Sequence, residues 1–220
     1  FMSIFGWMVI VTSGSIQVGD RIKVSRNNVE AVGDVLDISL FKITIREDIT
    51  LTSYTTNRRT GRIFFIPNNY IFSEMIANYT HSGLRTVWDG IDITITFDSN
   101  YKKAQKLSRD ILKHYSKGYT DVTRKQLSKM RSKYQLRATG VEPRVFTFVE
   151  PHGIVISSWY LTNSYAALVL RSTISPEILD AFMKEDDIHI AFPTQQININ
   201  RTDNSYGPST KKREMPRDLE

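Results

Sequence analysis

Four histidines and the adjacent carboxylates Asp186-Asp187 are the first residues to consider for chemistry. The histidines stand at positions 81, 114, 152 and 189. No two of them have the spacing of a shared metal site, so we expect each on the surface or in a turn. Asp186-Asp187 falls at a predicted helix end, where water would solvate both carboxylates. We therefore predict no catalytic residue and no metal ligand.

Known catalytic motifs give no further support to an enzyme. The sequence contains no GxSxG, Walker loop or GxGxxG, which removes the signatures of a nucleophile elbow and of a phosphate-binding loop. It contains no cysteine, which excludes a disulfide framework, a thiolate metal site and a cysteine nucleophile. We expect a protein that is not an enzyme and that needs no cofactor.

Charge is concentrated in one segment of the chain. The net charge of the 220 residues is +6, but residues 101–137 hold twelve Lys and Arg against Asp110 and Asp121. Such a basic stretch can bind nucleic acid or anionic lipid, can attract anions toward an opening, or can simply face solvent. Lys102, Lys103 and Lys106 are the candidates for an electrostatic role.

The first part of the chain, residues 15–80, predicts short strands separated by turns. Apolar residues share one parity over Leu36–Leu40 and the other over Phe41–Ile45. This change of phase indicates a bulge or a sharp bend within the run. Pro67 should end the apolar strand Ile63–Ile66. We predict a small, curled, antiparallel β domain.

From Gly83 onward, helices and strands are mixed. We predict a strand at 91–97, helices at 101–115 and 121–136, a hairpin of 145–149 with 154–161, a helix starting at Ser175-Pro176-Glu177, and a last strand at 188–192. Ile178, Leu179, Phe182 and Met183 should form the buried face of the last helix. Residues 163–172 are ambiguous and could be an earlier helical segment that meets it at Pro176. The order β-α-(α)-β-β-α-β is that of a ferredoxin-like sandwich.

The two ends of the chain differ in character. Phe1–Thr12 is almost wholly apolar, and as a helix it would be about 18 Å long, whereas the hydrocarbon core of a bilayer is about 30 Å thick. It is either a buried core segment or the end of a membrane helix. Residues 201–220 are polar and charged, which predicts a solvated tail.

Four motifs in a fixed order carry a resemblance to a known family. They are Val18-Gly19-Asp20-Arg21-Ile22, then Gly33-Asp34-Val35 with Asp37-Ile38, then Gly61 with Ile66-Pro67-Asn68, and Ile76-Ala77-Asn78-Tyr79-Thr80. Together they resemble the small-conductance mechanosensitive (MscS) channel family. Ala191–Gln196 is similar to that family's closing segment. The resemblance covers roughly residues 5–200.

The resemblance implies a fold and a function. It implies an α+β chain with the end of a pore-lining membrane helix at 1–14, an Sm-like antiparallel β barrel at 15–83, a ferredoxin-like α/β sandwich at 84–193, a C-terminal barrel strand at 194–201 and a disordered tail at 202–220. Members are homo-heptamers whose cytoplasmic parts form a hollow vestibule below the inner membrane. The implied function is a channel that opens under membrane tension and releases ions and small solutes during hypo-osmotic shock.

The resemblance also assigns positions to the chain. The scaffold positions are Gly19, Asp20, Gly33, Gly61, Pro67, Asn68 and Asn78. The positions of the C-terminal barrel are Gln195, Gln196, Ile197 and Ile199. The implied partners are other copies of the chain, the lipid bilayer through membrane helices ahead of Phe1, and permeating ions, with no nucleic acid.

A soluble RNA-binding protein is the alternative from another class. It would join an Sm-like barrel to a ferredoxin-like domain, and it predicts salt-sensitive binding to oligonucleotides. Arg144–Val149 is similar to an RNA-recognition segment, but Val145 and Thr147 replace its two small residues and the segment lies on the second predicted strand, so a structural strand is favoured.

Overall fold

The computed structural model describes residues 1–48, 61–134 and 140–192. The helices are α1 (Met2–Ser13), α2 (Tyr70–Ser73), α3 (Tyr101–Tyr134) and α4 (Ala167–Met183). The strands are β1 (Arg21–Arg26), β2 (Val29–Ile38), β3 (Lys42–Glu47), β4 (Ile63–Pro67), β5 (Met75–Asn78), β6 (Thr86–Ile95), β7 (Arg144–Glu150) and β8 (Gly153–Asn163). Both sheets are antiparallel, which confirms the predicted mixed α+β class.

The first sheet has the strand order β4-β3-β2-β1-β5. Asn27 and Asn28 form the turn between β1 and β2 with φ of 48° and 63°, a left-handed conformation that asparagine tolerates better than most residues. The inward side chains form one apolar core under α1. Its buried members are Ile10, Ile16, Ile22, Val24, Val35, Ile43, Ile45 and Ile66.

The change of apolar parity near residue 40 has two structural causes. A register shift between Val35 and Asp37 is the predicted bulge. The run is also broken by a turn between β2 and β3, in which the Ser39 N–H donates to the Lys42 carbonyl at 3.0 Å. Our single bent run is therefore two strands of a hairpin, because a turn resets the alternation as completely as a bulge does.

The second sheet has the order β6-β8-β7, with α3 and α4 packed on one of its faces. The predicted β7–β8 hairpin is confirmed, with Glu150 paired to Gly153 across the turn. Side chains from all three layers meet in a second core. Its largest fully buried members are Tyr160, Phe182, Ile95, Leu112, Ile156, Ile174 and Ile178.

Residues 101–134 form one helix, so the prediction of two helices is wrong. Asn100 caps it, since its side-chain oxygen accepts a hydrogen bond from the Lys103 N–H at 3.2 Å. Beyond residue 115 the buried side of α3 continues through Ser116, Thr120 and Thr123. These three buried side chains carry hydroxyl groups, so the apolar spacing of the sequence does not continue along the buried side of the helix.

The start of α4 is the second correction. This helix begins at Ala167 and contains Pro176 in its interior, so Ser175-Pro176-Glu177 is not its start. Ile178 and Phe182 are buried as predicted, but Leu179 is 37% and Met183 is 70% exposed. These two side chains therefore do not belong to the buried face.

The last predicted strand is reduced to one bridge. Of residues 188–192, only Ile190 pairs with the sheet, opposite Ile95 at the edge of β6. The predicted barrel strand and tail lie outside the described residues.

Candidate functional site

Helix α1 is docked on the first sheet through a glycine. Gly6 and Ile10 are its buried residues, while most of its large apolar side chains are exposed. A Cβ atom on Gly6 would lie 2.3 Å from the carbonyl oxygen of Asn68, so the two backbones are in direct contact. Among the described residues, no helix combines the length and the apolar character needed to cross a membrane.

Asn68 connects the docking point of α1 to the β2–β3 turn. Its side chain is buried, and its Nδ2 donates to the carbonyls of Ser39 at 2.8 Å and Leu40 at 2.9 Å. Its backbone N–H donates to Phe41 at 3.0 Å. Asn68 is therefore fixed to this turn by three hydrogen bonds and touches α1 through its backbone.

Asp20 lies on the other side of the sheet in strand order, between β1 and β5. Its carboxylate accepts hydrogen bonds from the Gln17 N–H at 2.9 Å, the Asn78 side chain at 2.8 Å and the Thr80 hydroxyl at 2.7 Å. Asn78 also donates to the Ser15 carbonyl at 2.9 Å. Two of the recognised motifs, far apart in sequence, therefore meet in one polar network that joins β1 to the end of β5.

The remaining scaffold positions have separate surroundings. Gly19 and Gly61 have φ of 89° and 85°, which glycine adopts without strain. Gly33 lies against the backbone of β3, and Pro67 ends β4 opposite Lys42. These positions fit the predicted scaffold roles, which stay predictions, and Gln195, Gln196, Ile197 and Ile199 lie outside the described residues.

Arg21 links the two sheets, and its place in the first motif does not by itself indicate this role. Its side chain is 7% exposed and makes a bidentate pair with Asp34, at 2.8 and 3.0 Å. It also contacts Asp48, donates to the Ser164 carbonyl at 2.9 Å and lies over the ring of Tyr165. Burial alone would lower the pKa of Arg21, but the two carboxylates raise it above its ordinary value. Nothing in the local sequence indicates such a link, because its partners are distant in the chain.

Replacing Arg21 by methionine should weaken the junction between the sheets. The change removes the guanidinium that pairs with Asp34 and contacts Asp48, and because both carboxylates are 36% exposed we expect a loss of about 2 kcal/mol in the free energy of unfolding. Denaturant unfolding followed by tryptophan fluorescence measures it. Arg46→Met removes an exposed arginine from β3 and is the matched control; equal losses in the two variants would refute the role of Arg21.

Five basic residues of α3 fall on one exposed side of the helix. Lys102, Lys106, Arg109, Lys113 and Lys117 recur every three or four residues and are exposed. Within the described part of the chain, none of these five forms an ion pair. They form a continuous cationic stripe, named here the α3 stripe.

Lys103 does not belong with Lys102 and Lys106. Its ammonium group contacts Glu185 and lies 3.0 Å from Asp187. The hydrogen bonds that Lys103 and Asn100 donate lower the pKa of Asp187 below its ordinary value. Asp187 is thus a structural partner of α3 rather than the simply solvated residue that we predicted.

Over residues 1–48, 61–134 and 140–192, no group of three or more acidic or histidine side chains could hold a metal ion.

Comparison with known proteins identifies the first part of the chain. Residues 1–81 match the family described as "Mechanosensitive ion channel, beta-domain". This match confirms, over those residues, the MscS-like family that the motifs indicated. The family is one of channels and not a class of enzymes. No curated protein is significantly similar to the chain in sequence.

Solved structures of similar fold extend over most of the chain. The structure titled Helicobacter pylori MscS (Closed State) has a TM-score of 0.58 at 14% identity, over 90% of this chain and 64% of that one. Arabidopsis thaliana MSL1 has a TM-score of 0.53 at 14% identity, over 87% and 58%. The A320V variant of MSL1 gives 0.51 at 15% identity, over 87% and 60%. The chain thus spans about three fifths of the length of these proteins.

Proposed function

We propose that this chain, MscS-like through its β-domain, is the cytoplasmic vestibule part of a channel that membrane tension opens. The match of residues 1–81 to a mechanosensitive-channel β-domain carries the proposal. In it, α1 is the cytoplasmic end of a pore-lining helix, and its Gly6–Asn68 contact connects the pore to the vestibule. Bilayer tension would open the pore by favouring the expanded state over the closed one, in an inner membrane.

In this proposal, residues 15–83 form an Sm-like domain and residues 84–193 form a ferredoxin-like domain. The spatial order of Ile190, β6, β8 and β7 supports the second assignment, because it is that of a split βαβ sandwich.

Assembly into a ring of copies, seven in our proposal, fits the open edges of the first sheet. Strands β4 and β5 are its two outer strands. Phe65 on β4 is 61% exposed and Met75 on β5 is 83% exposed. Exposed strand edges are usually covered or charged, and pairing of β4 with β5 of the next copy would cover both.

The comparisons give no support to the RNA-binding alternative, and an osmotic test decides for or against a channel. The complete natural polypeptide is produced in bacteria that lack their own mechanosensitive channels, which are then moved from high to low osmolarity. We expect survival well above that of cells with an empty vector. Native mass measurement of the purified protein should give a single homo-oligomer. Survival no better than the vector, or a monomeric mass, would refute the proposal.

The α3 stripe should favour the passage of anions. Neutralising Lys102 and Lys106 to glutamine should lower the anion-to-cation permeability ratio about twofold, because both charges are exposed and unpaired among the described residues. Reversal potentials in a salt gradient measure the ratio. Arg46→Gln is the control, since it removes an exposed positive charge from β3 of the first sheet and leaves α3 unchanged. An unchanged ratio in the double variant would show that the stripe does not face the solute path.

A further inference from the structure

One face of the second sheet carries aromatic side chains in solvent. The register places Trp88, Trp159, Phe146 and Phe148 on the side opposite to α3 and α4. They are 40%, 42%, 43% and 52% exposed, respectively. The sheet face of a two-layer domain that meets only water is normally polar. This surface is named here the aromatic face.

Contacts within the aromatic face hold three of its side chains in place. The indole of Trp159 lies on Gly90, where a Cβ atom would be 3.3 Å from the ring. Its Nε1 donates to the Ser157 hydroxyl at 2.9 Å, and that hydroxyl donates to Asp92 at 2.5 Å. The rings of Phe146 and Phe148 are stacked, with centroids 6.3 Å apart. Because these side chains are already ordered, little entropy is lost when a partner covers them.

The opposite layer of the same domain has a second uncovered apolar surface. The outer side of α4 exposes Val169, Pro176 and Met183, where a surface helix normally carries charged residues. Beside its C-terminal end is a groove of about 640 Å³, lined in part by Leu179, Met183, Ile188 and Phe192. We name this outer side and the groove together the α4 face.

Each face carries a charged side chain that is available to a neighbouring copy. Arg144 lies on the aromatic face, 5.7 Å from the ring of Trp88, and pairs with no carboxylate in the described ranges. Of the three charged residues of α4, Arg171 donates to Gly90 and Glu177 accepts from Tyr115. The third, Asp180, lies on the outer side without a partner in the part of the chain that the structure describes.

We propose that the aromatic face of one copy of this chain binds the α4 face of the next copy. The two faces lie on opposite layers of one domain, so one contact repeated around a ring covers both in every copy. Phe148 enters the groove beside Met183, and Arg144 approaches Asp180. This inference rests on the proposed homo-oligomer and adds a second contact to the pairing of β4 with β5.

Engineered cysteines test the contact directly, because the 220 residues contain none. Phe148→Cys and Met183→Cys are combined in the complete polypeptide, with any cysteine outside these residues changed to serine. Both positions are exposed, so the fold should tolerate the changes. Under mild oxidation we expect a ladder of covalent multimers beyond the dimer. The matched pair Phe148→Cys with Val122→Cys, where Val122 is exposed on α3, should give no ladder.

A charge reversal provides the second arm. Arg144→Glu should lower the yield of the ladder about tenfold, since it brings a carboxylate toward Asp180. Adding Asp180→Arg should restore the yield. An oligomer that gives no ladder, or a ladder equally strong in the control pair, would overturn this contact and leave the channel proposal standing. A monomeric protein would overturn both.

Discussion

Alanine at position 33 is expected to prevent the first sheet from folding. A Cβ atom on Gly33 would lie 2.2 Å from the carbonyl oxygen of Arg46 and 2.7 Å from its carbonyl carbon. These are backbone atoms of the neighbouring strand, so no side-chain movement can relieve the contact. Because β3 would have to leave β2, we expect a loss of about 4 kcal/mol or more in the free energy of unfolding. Denaturant unfolding, or loss of soluble protein, measures it.

A second glycine separates lack of space from backbone conformation. Gly61 has φ of 85°, but a Cβ atom there meets no atom of the described residues within 4 Å. Gly61→Ala should therefore cost only the left-handed strain, about 1–2 kcal/mol. If Gly33→Ala were as stable as Gly61→Ala, the close approach of β2 and β3 would not be the reason for glycine at position 33.

Gly6→Ala is expected to change the gating of the proposed channel without unfolding the protein. The added methyl group would lie 2.3 Å from the Asn68 carbonyl oxygen, so α1 must move away from the sheet. Such overpacking costs about 1–3 kcal/mol. The state of the channel that keeps the Gly6–Asn68 contact should lose that free energy, and its population relative to the other state should fall about 5- to 150-fold. The opening probability at a fixed tension measures the shift.

Gly118→Ala is the control for the Gly6 variant. It adds the same methyl group to another helix, at a position where none of the residues that the structure describes has an atom within 4 Å. We expect its opening probability to match that of the unmodified channel. If the opening probability of Gly6→Ala were also unchanged at that tension, α1 would not transmit force through Asn68.

Short-range patterns in the sequence were sufficient for much of the fold. The stop at Pro67 and the β7–β8 hairpin depend on residues that are neighbours in the chain. Each requires a particular backbone conformation or lacks a donor, and this requirement is visible in the residue type itself.

Features that depend on distant partners were not predictable in this way. Lys103 is neutralised by Asp187, 84 residues away in sequence. Arg21 donates to a carbonyl 143 residues away, and the continuity of α3 depends on hydroxyl side chains that tertiary packing buries. Apolar periodicity and local charge carry no information about such contacts. The order of the motifs groups Asp20 with Asn78, and the structure joins these two side chains by a hydrogen bond. Apolar periodicity does not predict that contact.

The current through a single membrane patch tests the channel assignment most directly. The complete natural polypeptide is reconstituted into giant vesicles, and suction is applied to an excised patch. We predict stepwise currents that appear above a threshold tension and disappear when the suction is released, with none in protein-free vesicles. A patch that stays silent up to the tension at which the bilayer ruptures, with the protein shown to be inserted, would contradict the account.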